Sequence, residues 1–560
     1  MRRLRSGLAA VVAAVTLALA GCAGLPTSGS VQPGLPADAD AGSPDFALLP
    51  DSPQPGASPQ EIVDGFVRAG TGPGPDGSWA VAKEYLTPAE ARRWDPTANV
   101  TIDEPGLRGF SSSAEDQVSV TTTPVATIDE IGAYSPSVEG PTTLPFQLAK
   151  QSDGEWRISK APDGLLLDTS QFSNVFHRYA LMYFDPTWQF LVPDVRWFPA
   201  TNAPTYIADA LVNGPPAPWL AASVATAFPE DVSASPSVPV DSGVAQVELS
   251  TAAIQLGTDT LSRMQAQLAE SLQTASGVSD VQMAAGTTPL EVEPAPVRST
   301  RVSNQAAVLT QDGFGFLTGN QLQPIPGLTP AMTQVDPVSI QLSPDRDFAA
   351  ARLDGGAVAR VSADDGLVVY DQRPGLIDPT VDPSGYTWSV PGDAPSQLTA
   401  FAPGHDPIHI AEAWPEATQV SAMSLSRDGT RLAAVVTSGG RPSVWVSGVV
   451  RDTKGVPSAL GEPLLLQLLS GSGIAVSWLD DSTIAVLASA GDDAEVVDLT
   501  VGGPSATTPA PAGAAQLAGI NNGNMRVKGV SGELYSKRGS TWPQTAVGIF
   551  VLATQQGSPR

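Results

Sequence analysis

The sequence predicts a multidomain fold: a small N-terminal α+β domain, then an α/β domain, then a C-terminal all-β propeller. Three observations support this prediction. Helix-capping signals followed by alternating apolar residues come first in the chain. A long amphipathic helix lies between strand-like segments in the middle. The last part contains repeats whose starts are 39, 44 and 52 residues apart, close to the ~40–50-residue period of propeller blades.

The start of the chain predicts export. Arg2, Arg3 and Arg5 precede 13 mostly apolar residues, Leu8 to Ala20, and small residues follow. This is the order of a secretory signal peptide. Thirteen helical residues reach only about 20 Å, which is too short for the ~30 Å hydrocarbon core of a bilayer. We therefore predict a cleaved signal peptide over residues 1–21.

Cys22 is the only cysteine in the 560 residues and directly follows this segment. The run Leu19-Ala-Gly-Cys22 resembles the bacterial lipobox, in which the chain is cut before the cysteine and the thiol is acylated. The resemblance implies cleavage between Gly21 and Cys22, and an acyl group such as palmitate on Cys22. An ordinary signal peptide with an incidental cysteine is the alternative. We expect the protein to be held at the extracytoplasmic face of the cell membrane through lipid alone.

The charge of the chain excludes some classes of partner. The net charge is −27, and removing the three arginines of the leader from it leaves −30. An acidic surface argues against nucleic acid as a partner, because phosphates require clustered Lys and Arg. It also argues against electrostatic adhesion to anionic lipid head groups. With a single cysteine, the chain can form no internal disulfide.

Residues 22–57 predict a flexible tether. Pro, Gly, Ser, Ala and Asp dominate and no apolar periodicity is present, so the segment cannot bury enough apolar surface to order itself. About 35 flexible residues give an r.m.s. span of roughly 30–35 Å. Asp38 and Asp40 resemble calcium ligands, but no glycine-centred loop with a closing Glu follows them, which favours a solvated linker.

Residues 58–172 predict the N-terminal α+β domain. Ser58-Pro-Gln-Glu61 is a capping box with Pro at the first helical position, and the apolar residues after it share one helical face. Val118 and Val120 then begin a strand-like alternation, and Ser152-Asp-Gly154 predicts a hairpin turn. We interpret the aromatic side chains of this region as core rather than as a ligand platform.

Residues 177–296 predict the α/β domain. Two strands separated by Asp185-Pro186 come first, and a helix that ends at Gly214 follows them. A later helix is expected to begin at Asp259 as its cap. Its apolar residues recur at the spacing of a core face rather than of a cofactor site: Leu261, Met264, Leu268 and Leu272.

The same region resembles a known domain. Five of its segments look like the GerMN domain, which was first noted in spore-germination lipoproteins and is not known as a catalyst: Leu181-Met-Tyr-Phe-Asp185, Leu191-Val-Pro-Asp-Val-Arg196, Ala210-Leu-Val-Asn-Gly-Pro-Pro216, Thr226-Ala-Phe-Pro229 and Val247-Glu-Leu-Ser250.

Residues 297–560 predict the propeller. Near copies of one motif begin at Leu342 and Leu425, and looser copies begin at Val381 and Ser477. One four-stranded blade cannot bury both of its faces alone, whereas closure into a ring buries them. The length of the region at this period predicts five or six blades. The Asp residues in the repeat are expected to accept turn hydrogen bonds.

A search for catalytic or metal-binding motifs finds little. Of the three histidines, His177, His405 and His409, the last two have the i, i+4 spacing of a helical zinc site, but Pro407 between them disfavours a helix. A G-x-S-x-G elbow, an S-x-x-K motif and a P-loop are absent from the sequence. We interpret Asp480-Asp481 as a solvated turn pair. The sequence therefore predicts no metal, no cofactor and no enzymatic activity.

The order of these segments resembles the actinobacterial LpqB lipoprotein family over essentially the whole mature chain. Residues 181–196 and the repeat that starts at Leu342 are its most specific parts. The resemblance implies an accessory protein that binds the extracellular part of the sensor histidine kinase MtrB and tunes two-component signalling tied to envelope upkeep and division. The resemblance implies no catalytic residue. Cys22 is the one residue to which it assigns a role, as the lipidated cysteine.

Two functional classes remain open at this point. One is a membrane-anchored binding and regulatory protein whose partner is an MtrB-like kinase. The other is an exported propeller hydrolase or glycan-binding protein that acts on the cell wall through its central channel. Several propeller families are enzymes, so the fold alone does not decide between the two classes.

Overall fold

The computed structural model of the protein describes residues 50–137, 140–319, 321–491, 493–521, 524–557 and 559. The predicted signal peptide, Cys22 and all but the last eight residues of the predicted tether lie outside the described residues. The described residues belong to one compact unit.

The α-helices of the described residues lie mostly in the first half of the chain. They are α1 Pro59–Ala69, α2 Ala80–Glu84, α3 Glu90–Arg93, α4 Thr169–Val175, α5 Ala203–Val212, α6 Pro218–Ala221, α7 Thr258–Leu272 and α8 Leu328–Met332.

Strands precede and follow these helices in the first two domains. They are β1 Val100–Asp103, β2 Gly109–Ala114, β3 Gln117–Thr122, β4 Pro124–Ile128, β5 Tyr134–Pro136, β6 Thr142–Lys150, β7 Trp156–Lys160, β8 Leu165–Asp168, β9 Phe176–Phe184, β10 Leu191–Pro199, β11 Val240–Asp241, β12 Val244–Leu249, β13 Asp280–Ala285 and β14 Thr288–Pro289.

The remaining strands build the C-terminal domain. They are β15 Ala306–Thr310, β16 Gly313–Thr318, β17 Gln321–Pro324, β18 Pro337–Leu342, β19 Phe348–Leu353, β20 Val358–Ser362, β21 Gly366–Asp371, β22 Thr380–Val381, β23 Thr387–Ser389, β24 Thr399–Phe401, β25 Ile408–His409, β26 Gln419–Leu425, β27 Arg431–Ser438, β28 Arg441–Arg451, β29 Pro457–Leu460, β30 Leu464–Leu468, β31 Gly473–Trp478, β32 Thr483–Ala490, β33 Asp493–Thr500, β34 Ser505–Pro509, β35 Ala514–Gly519, β36 Met525–Gly529, β37 Leu534–Ser536, β38 Gln544–Ala546 and β39 Val551–Gln555.

The N-terminal domain is α+β, as predicted. Ser58 and Glu61 form the capping box of α1, each side chain accepting the backbone N–H of the other residue. Two four-stranded sheets, in the orders β5-β4-β1-β8 and β2-β3-β6-β7, share one apolar core with α1. The hairpin of β6 and β7 turns at residues 152–154, as the sequence predicts.

Residues 50–57, which the sequence assigns to the tether, contact this domain. The hydroxyl of Tyr85 donates to the carbonyl of Asp51 at 2.8 Å. The backbone N–H of Gly56 donates to the carboxylate of Glu155 at 2.9 Å. This segment is therefore hydrogen-bonded to the domain at two points, Asp51 and Gly56.

The second domain is α/β. The hairpin of β9 and β10 precedes a sheet in the order β11-β12-β13-β14. β12 and β13 are parallel and α7 connects them, which is the βαβ arrangement. The apolar face of α7 is buried as predicted. The predicted cap is wrong: the N-cap is Gly257, and Asp259 lies in the first turn, where its charge favours the helix dipole.

The C-terminal domain is a propeller of six blades in the described residues. Blade 1 has the order β39-β15-β16-β17 from the centre outwards, and blades 2 and 3 are β18 to β21 and β22 to β25. Blade 4 is β26 to β30, blade 5 is β31 to β34, and blade 6 is β35 to β38. The prediction of a propeller of five or six blades is confirmed.

The ring is closed by the last strand of the chain. β39 pairs antiparallel with β15, with Leu309 opposite Val551. Its end pairs parallel with β18, with Leu342 opposite Gln555. Blade 1 therefore combines three strands from the beginning of the domain with one from its end.

In the part of the chain that the structure describes, no helix has the length and apolar character needed to cross a bilayer.

Candidate functional site at the propeller channel

The repeat turns that the sequence identified lie at one end of the propeller channel. Each joins the inner strand of a blade to the next strand outwards, and we call this end the channel face. Asp382 accepts the backbone N–H groups of Ser384 and Tyr386. Asp428 accepts that of Thr430 at 2.8 Å. The expected turn hydrogen bonds are confirmed, and these carboxylates are committed to the turns.

Polar side chains from different blades meet inside the ring. Gln556, directly after β39 of blade 1, donates from Nε2 to the carbonyl of Ser426 in blade 4 at 2.7 Å. Gln341 of blade 2 donates to Oε1 of Gln556 at 3.4 Å and accepts the backbone N–H of Val381 in blade 3. Both glutamines are buried. The side chain of Gln556 therefore bridges opposite blades at this level of the channel, and Gln341 links three adjacent blades.

Arg427 is a buried cation at the channel face. Its guanidinium donates to the carbonyl of Ile520 and, at 3.0 Å, to Oδ1 of Asn521. Burial lowers the pKa of Arg427 to about 10, and the carboxylates of Asp481 and Asp480 oppose that shift. Arg427 stays charged at neutral pH and ties blade 4 to the first turn of blade 6.

The Asp480-Asp481 pair is more enclosed than the sequence predicts. Asp480 accepts the backbone N–H groups of Ser482 and Thr483 at 2.9 and 2.7 Å and so closes its turn. Asp481 is half-buried, and burial raises its pKa although a hydrogen bond with Thr300 acts in the opposite direction. The interpretation as a solvated pair is therefore wrong for Asp481.

The segment that enters the propeller from the second domain crosses the channel face. We call residues 297–305 the strap. The guanidinium of Arg427 contacts the Thr300 carbonyl at 3.5 Å. The side chain of Asn521 exchanges two hydrogen bonds with the backbone of Val302, at 3.1 and 2.5 Å. The strap is therefore fixed to blades 4 and 6 at this end of the channel.

Two buried ion pairs support the channel face. Arg431 pairs with Asp428 at 2.5 Å, and both side chains are buried. Burial opposes the ionisation of Asp428, but the Arg431 guanidinium and the Thr430 hydrogen bonds outweigh it and hold the pKa of Asp428 below its ordinary value. Arg451 pairs with Asp382 at 2.8 Å. The first pair lies within a single turn of blade 4, whereas the second joins blade 4 to the turn of blade 3.

A cleft of about 220 Å³ separates the propeller from the turn between β9 and β10. Asp185, Arg298, Arg451 and Lys454 are among its lining residues. The carboxylate of Asp185 accepts the backbone N–H groups of its own turn, and Arg451 is paired as described. The cleft is thus a polar boundary between two domains, and its buried carboxylate is used for structure.

All three domains meet at β10. The guanidinium of Arg196 pairs with Asp194 at 2.7 Å and donates to the Ile131 carbonyl of the N-terminal domain at 2.8 Å. The indole N–H of Trp197 donates to the Gly502 carbonyl of the propeller at 2.8 Å. Burial lowers the pKa of Arg196, but the Asp194 carboxylate raises it by more. Adjacent residues of one strand therefore join the second domain to both of its neighbours.

The structure keeps the histidines apart from this site. His177, His405 and His409 are exposed. His409 lies in β25 and His405 in the turn before it, so the two share no helix. In the described ranges, no three His, Cys, Asp or Glu side chains gather as a metal site. Cys22, the predicted lipidation site, lies outside the described residues.

The fold and the channel face define the class: a three-domain protein whose terminal propeller is closed by its own side chains and by a strap from the preceding domain. Family profiles match the same three regions. Residues 52–173 match "Lipoprotein LpqB, N-terminal domain", residues 180–291 match "Sporulation and spore germination", and residues 308–549 match "Lipoprotein LpqB beta-propeller domain".

Relatives named Lipoprotein LpqB match over most of the chain. That of Rhodococcus opacus (strain B4) is 27% identical over 545 residues, which cover 90% of this chain and 88% of that protein. That of Cutibacterium acnes is 28% identical over 490 residues, 83% of this chain and 78% of that protein. Among solved structures, a chain of the Nidogen/Laminin complex matches with a TM-score of 0.33 and 10% identity, covering 44% of this chain and 97% of that chain.

The chain belongs to the LpqB lipoprotein family. The predicted family, the GerMN-type domain and the propeller are confirmed. Membership indicates a membrane-associated lipoprotein, and the relatives carry a lipoprotein name rather than that of an enzyme family.

Proposed function

We propose that the protein is a lipid-anchored accessory protein at the extracytoplasmic face of the cell membrane. It binds the extracellular part of an MtrB-like sensor histidine kinase and modulates two-component signalling linked to the cell envelope and division. Its partners are this kinase and, through acylated Cys22, the lipid bilayer. It acts by binding, with no cofactor and no metal.

The observation that carries this proposal is that Gln556 bridges the channel and that Arg427 and the strap lie at its end. A propeller that hydrolyses or binds wall glycan through its channel requires space and uncommitted polar groups there. Here Gln556 hydrogen-bonds across the channel to blade 4, Gln341 links three adjacent blades, and Arg427 with the strap lies at the end of the channel. The carboxylates of Asp382, Asp428 and Asp480 accept backbone N–H groups of their own turns, and the first two also pair with arginines. This arrangement favours the regulatory binding protein over the exported hydrolase or glycan-binding protein.

The junction at β10 gives the proposal a structural basis. Arg196 and Trp197 connect the second domain to the N-terminal domain and to the propeller through partly buried hydrogen bonds. Binding energy at one domain can therefore act on the placement of the others. An accessory protein can influence a kinase only through differential affinity for its signalling states. A tether that holds the protein near its partner raises the effective concentration for such binding to about the millimolar range.

The test is direct binding between the mature protein and the purified extracellular domain of the kinase. We expect a saturable complex by analytical ultracentrifugation, and a changed autophosphorylation rate when both proteins share one membrane. Incubation of the same mature protein with wall glycan fragments is expected to give no turnover. Glycan turnover without kinase binding would replace this proposal with the hydrolase.

The Cys22→Ala variant is predicted to leave the membrane. It retains the apolar leader segment needed for export but lacks the thiol to which lipid is attached. We expect at least about 90% of the variant in the soluble extracytoplasmic fraction, since an acyl anchor supplies ~0.8 kcal/mol per buried CH₂. Cell fractionation and mass spectrometry of the mature N-terminus measure this. A Leu8→Ala variant, which keeps Cys22, is the matched control. Membrane sedimentation of Cys22→Ala would contradict anchoring by lipid alone.

A further inference from the structure

The outermost strand of each blade has one edge that no other strand of its blade covers. Such an edge presents a row of backbone N–H and C=O groups that can pair with another chain. Proteins protect these edges with very short strands, proline, charged residues or a covering segment. The six blades of this propeller can be compared on that basis.

Five of the blades in the described residues are protected. In blades 3 and 6 the edge strands β25 and β38 have two and three residues. In blades 1 and 5 the edge strands β17 and β34 are polar and end in Pro324 and Pro509. In blade 4, β29 is bridged to Ala411 of blade 3, and β30 lies against β5 of the N-terminal domain.

Blade 2 differs. Its edge strand β21 has six residues and contains neither proline nor lysine. Among the described strands it pairs with β20 alone. Leu367, Val368 and Val369 are 45%, 36% and 39% exposed. Three consecutive apolar side chains on a free strand edge leave both faces beside that edge apolar.

The free backbone edge of β21 and the charges beside it indicate what kind of segment could bind there. A free strand edge selects an extended segment, because only an extended backbone matches its row of donors and acceptors. Asp364 and Asp365 form the exposed turn that enters β21, so a segment that is basic at the end beside this turn is favoured. A second copy is disfavoured, because two chains of net charge −27 repel each other.

We infer that β21 is a strand-addition site that binds an extended segment of a partner protein, apolar along its length and basic at the end that lies beside Asp364 and Asp365. The segment pairs with the backbone of residues 366–370 and packs on Leu367 and Val369. This inference goes beyond the proposed function, because it names a surface and a backbone form that do not depend on which protein supplies the segment.

The test uses the mature full-length chain and a fluorescent peptide, Lys-Val-Thr-Val-Thr-Val-Lys, in an anisotropy titration. We expect saturable binding, and protection of the β21 amides from hydrogen exchange. The Leu367→Ser/Val369→Ser variant is expected to bind about tenfold more weakly, since tenfold corresponds to ~1.4 kcal/mol. The Leu107→Ser/Ile254→Ser variant removes exposed apolar side chains from the first two domains, outside the propeller blades, and is the matched control, with binding within about twofold of the parent.

Two further probes separate strand addition from other attractions. The same peptide N-methylated at each Val and Thr cannot pair through its backbone and is expected not to bind. A version with Glu at both ends is expected to bind more weakly than the Lys version. The inference is overturned by equal binding of the N-methylated peptide, by equal weakening in the control variant, or by no saturable binding up to about 1 mM. Dimerisation abolished by Leu367→Ser/Val369→Ser would also overturn it, in favour of a second copy.

Discussion

Replacing Arg196 with alanine is expected to destabilise the protein by about 3–5 kcal/mol, because it leaves the Asp194 carboxylate buried without its partner. The two side chains are 1% and 2% exposed and lie 2.7 Å apart. The substitution also leaves the Ile131 carbonyl without the guanidinium donor. Urea unfolding followed by tryptophan fluorescence measures the effect. Hydrogen exchange around Ile131 should rise, because the contact with the N-terminal domain is lost.

Arg68→Ala is the matched control for this prediction. Arg68 pairs with Asp64 at the same distance of 2.7 Å, but the two side chains are 72% and 40% exposed. Exposed pairs of this kind contribute less than about 0.5 kcal/mol. Combining Arg196→Met with Asp194→Leu should recover part of the lost stability, since no unpaired charge is left. Equal, small effects of Arg196→Ala and Arg68→Ala would show that the buried pair does not hold the domains together.

A chain that ends at Phe550 is expected not to form the closed propeller. It lacks β39, which is the inner strand of blade 1 and also pairs with blade 2. Val551, Leu552 and Ala553 are buried. At ~1.5–3 kcal/mol for each large apolar side chain, and with the ladder hydrogen bonds also lost, the deficit is about 5 kcal/mol or more. Limited proteolysis should cut within residues 306–550 of this chain and not within those of the parent.

Two controls accompany the truncation. A chain that ends at Gly557 retains β39 and Gln556, and should resist protease as the parent does. Leu552→Ala in the full chain should cost about 2–5 kcal/mol while the ring stays closed. A synthetic peptide of residues 551–557 should restore protease resistance to the truncated chain. If the chain ending at Phe550 resists protease without the peptide, β39 is not needed for closure.

Much of the fold could be predicted because its signals are local. Three signals each lie within about a dozen residues: the capping box at Ser58, the apolar face of α7 and the Asp-containing repeat. Over such a short stretch, the spacing of apolar residues identifies a helix or a strand. The inner-strand turn of blade 6 was missed because it has Asn521 and Asn524 where the other copies have Asp. The pairing of β39 with β15 was missed because no local pattern indicates a partner more than 200 residues away.

The candidate site was less predictable than the fold. Arg427 occupies the position that Pro344 has in the repeat starting at Leu342. An arginine in place of a proline at this turn could have indicated that Arg427 has a specific role. Asp194 and Arg196 are two residues apart on a strand, so they share a face, and a buried pair could have been inferred. Gln341 and Gln556 carried no signal, because their partners lie in other blades, which for Gln556 include the opposite blade.

Closure by β39 also fixes when the largest domain can assemble. Strand β15 begins at Ala306, but its inner neighbour spans Val551–Gln555. A ribosome or export channel that releases the chain from its N-terminus supplies that neighbour only after the strands of blades 2 to 6. The first two domains can reach their native state during this delay, whereas blades 2 to 6 wait with an open seam. During synthesis and export, the incomplete propeller is therefore the part of the chain that stays accessible to chaperones and proteases for the longest time.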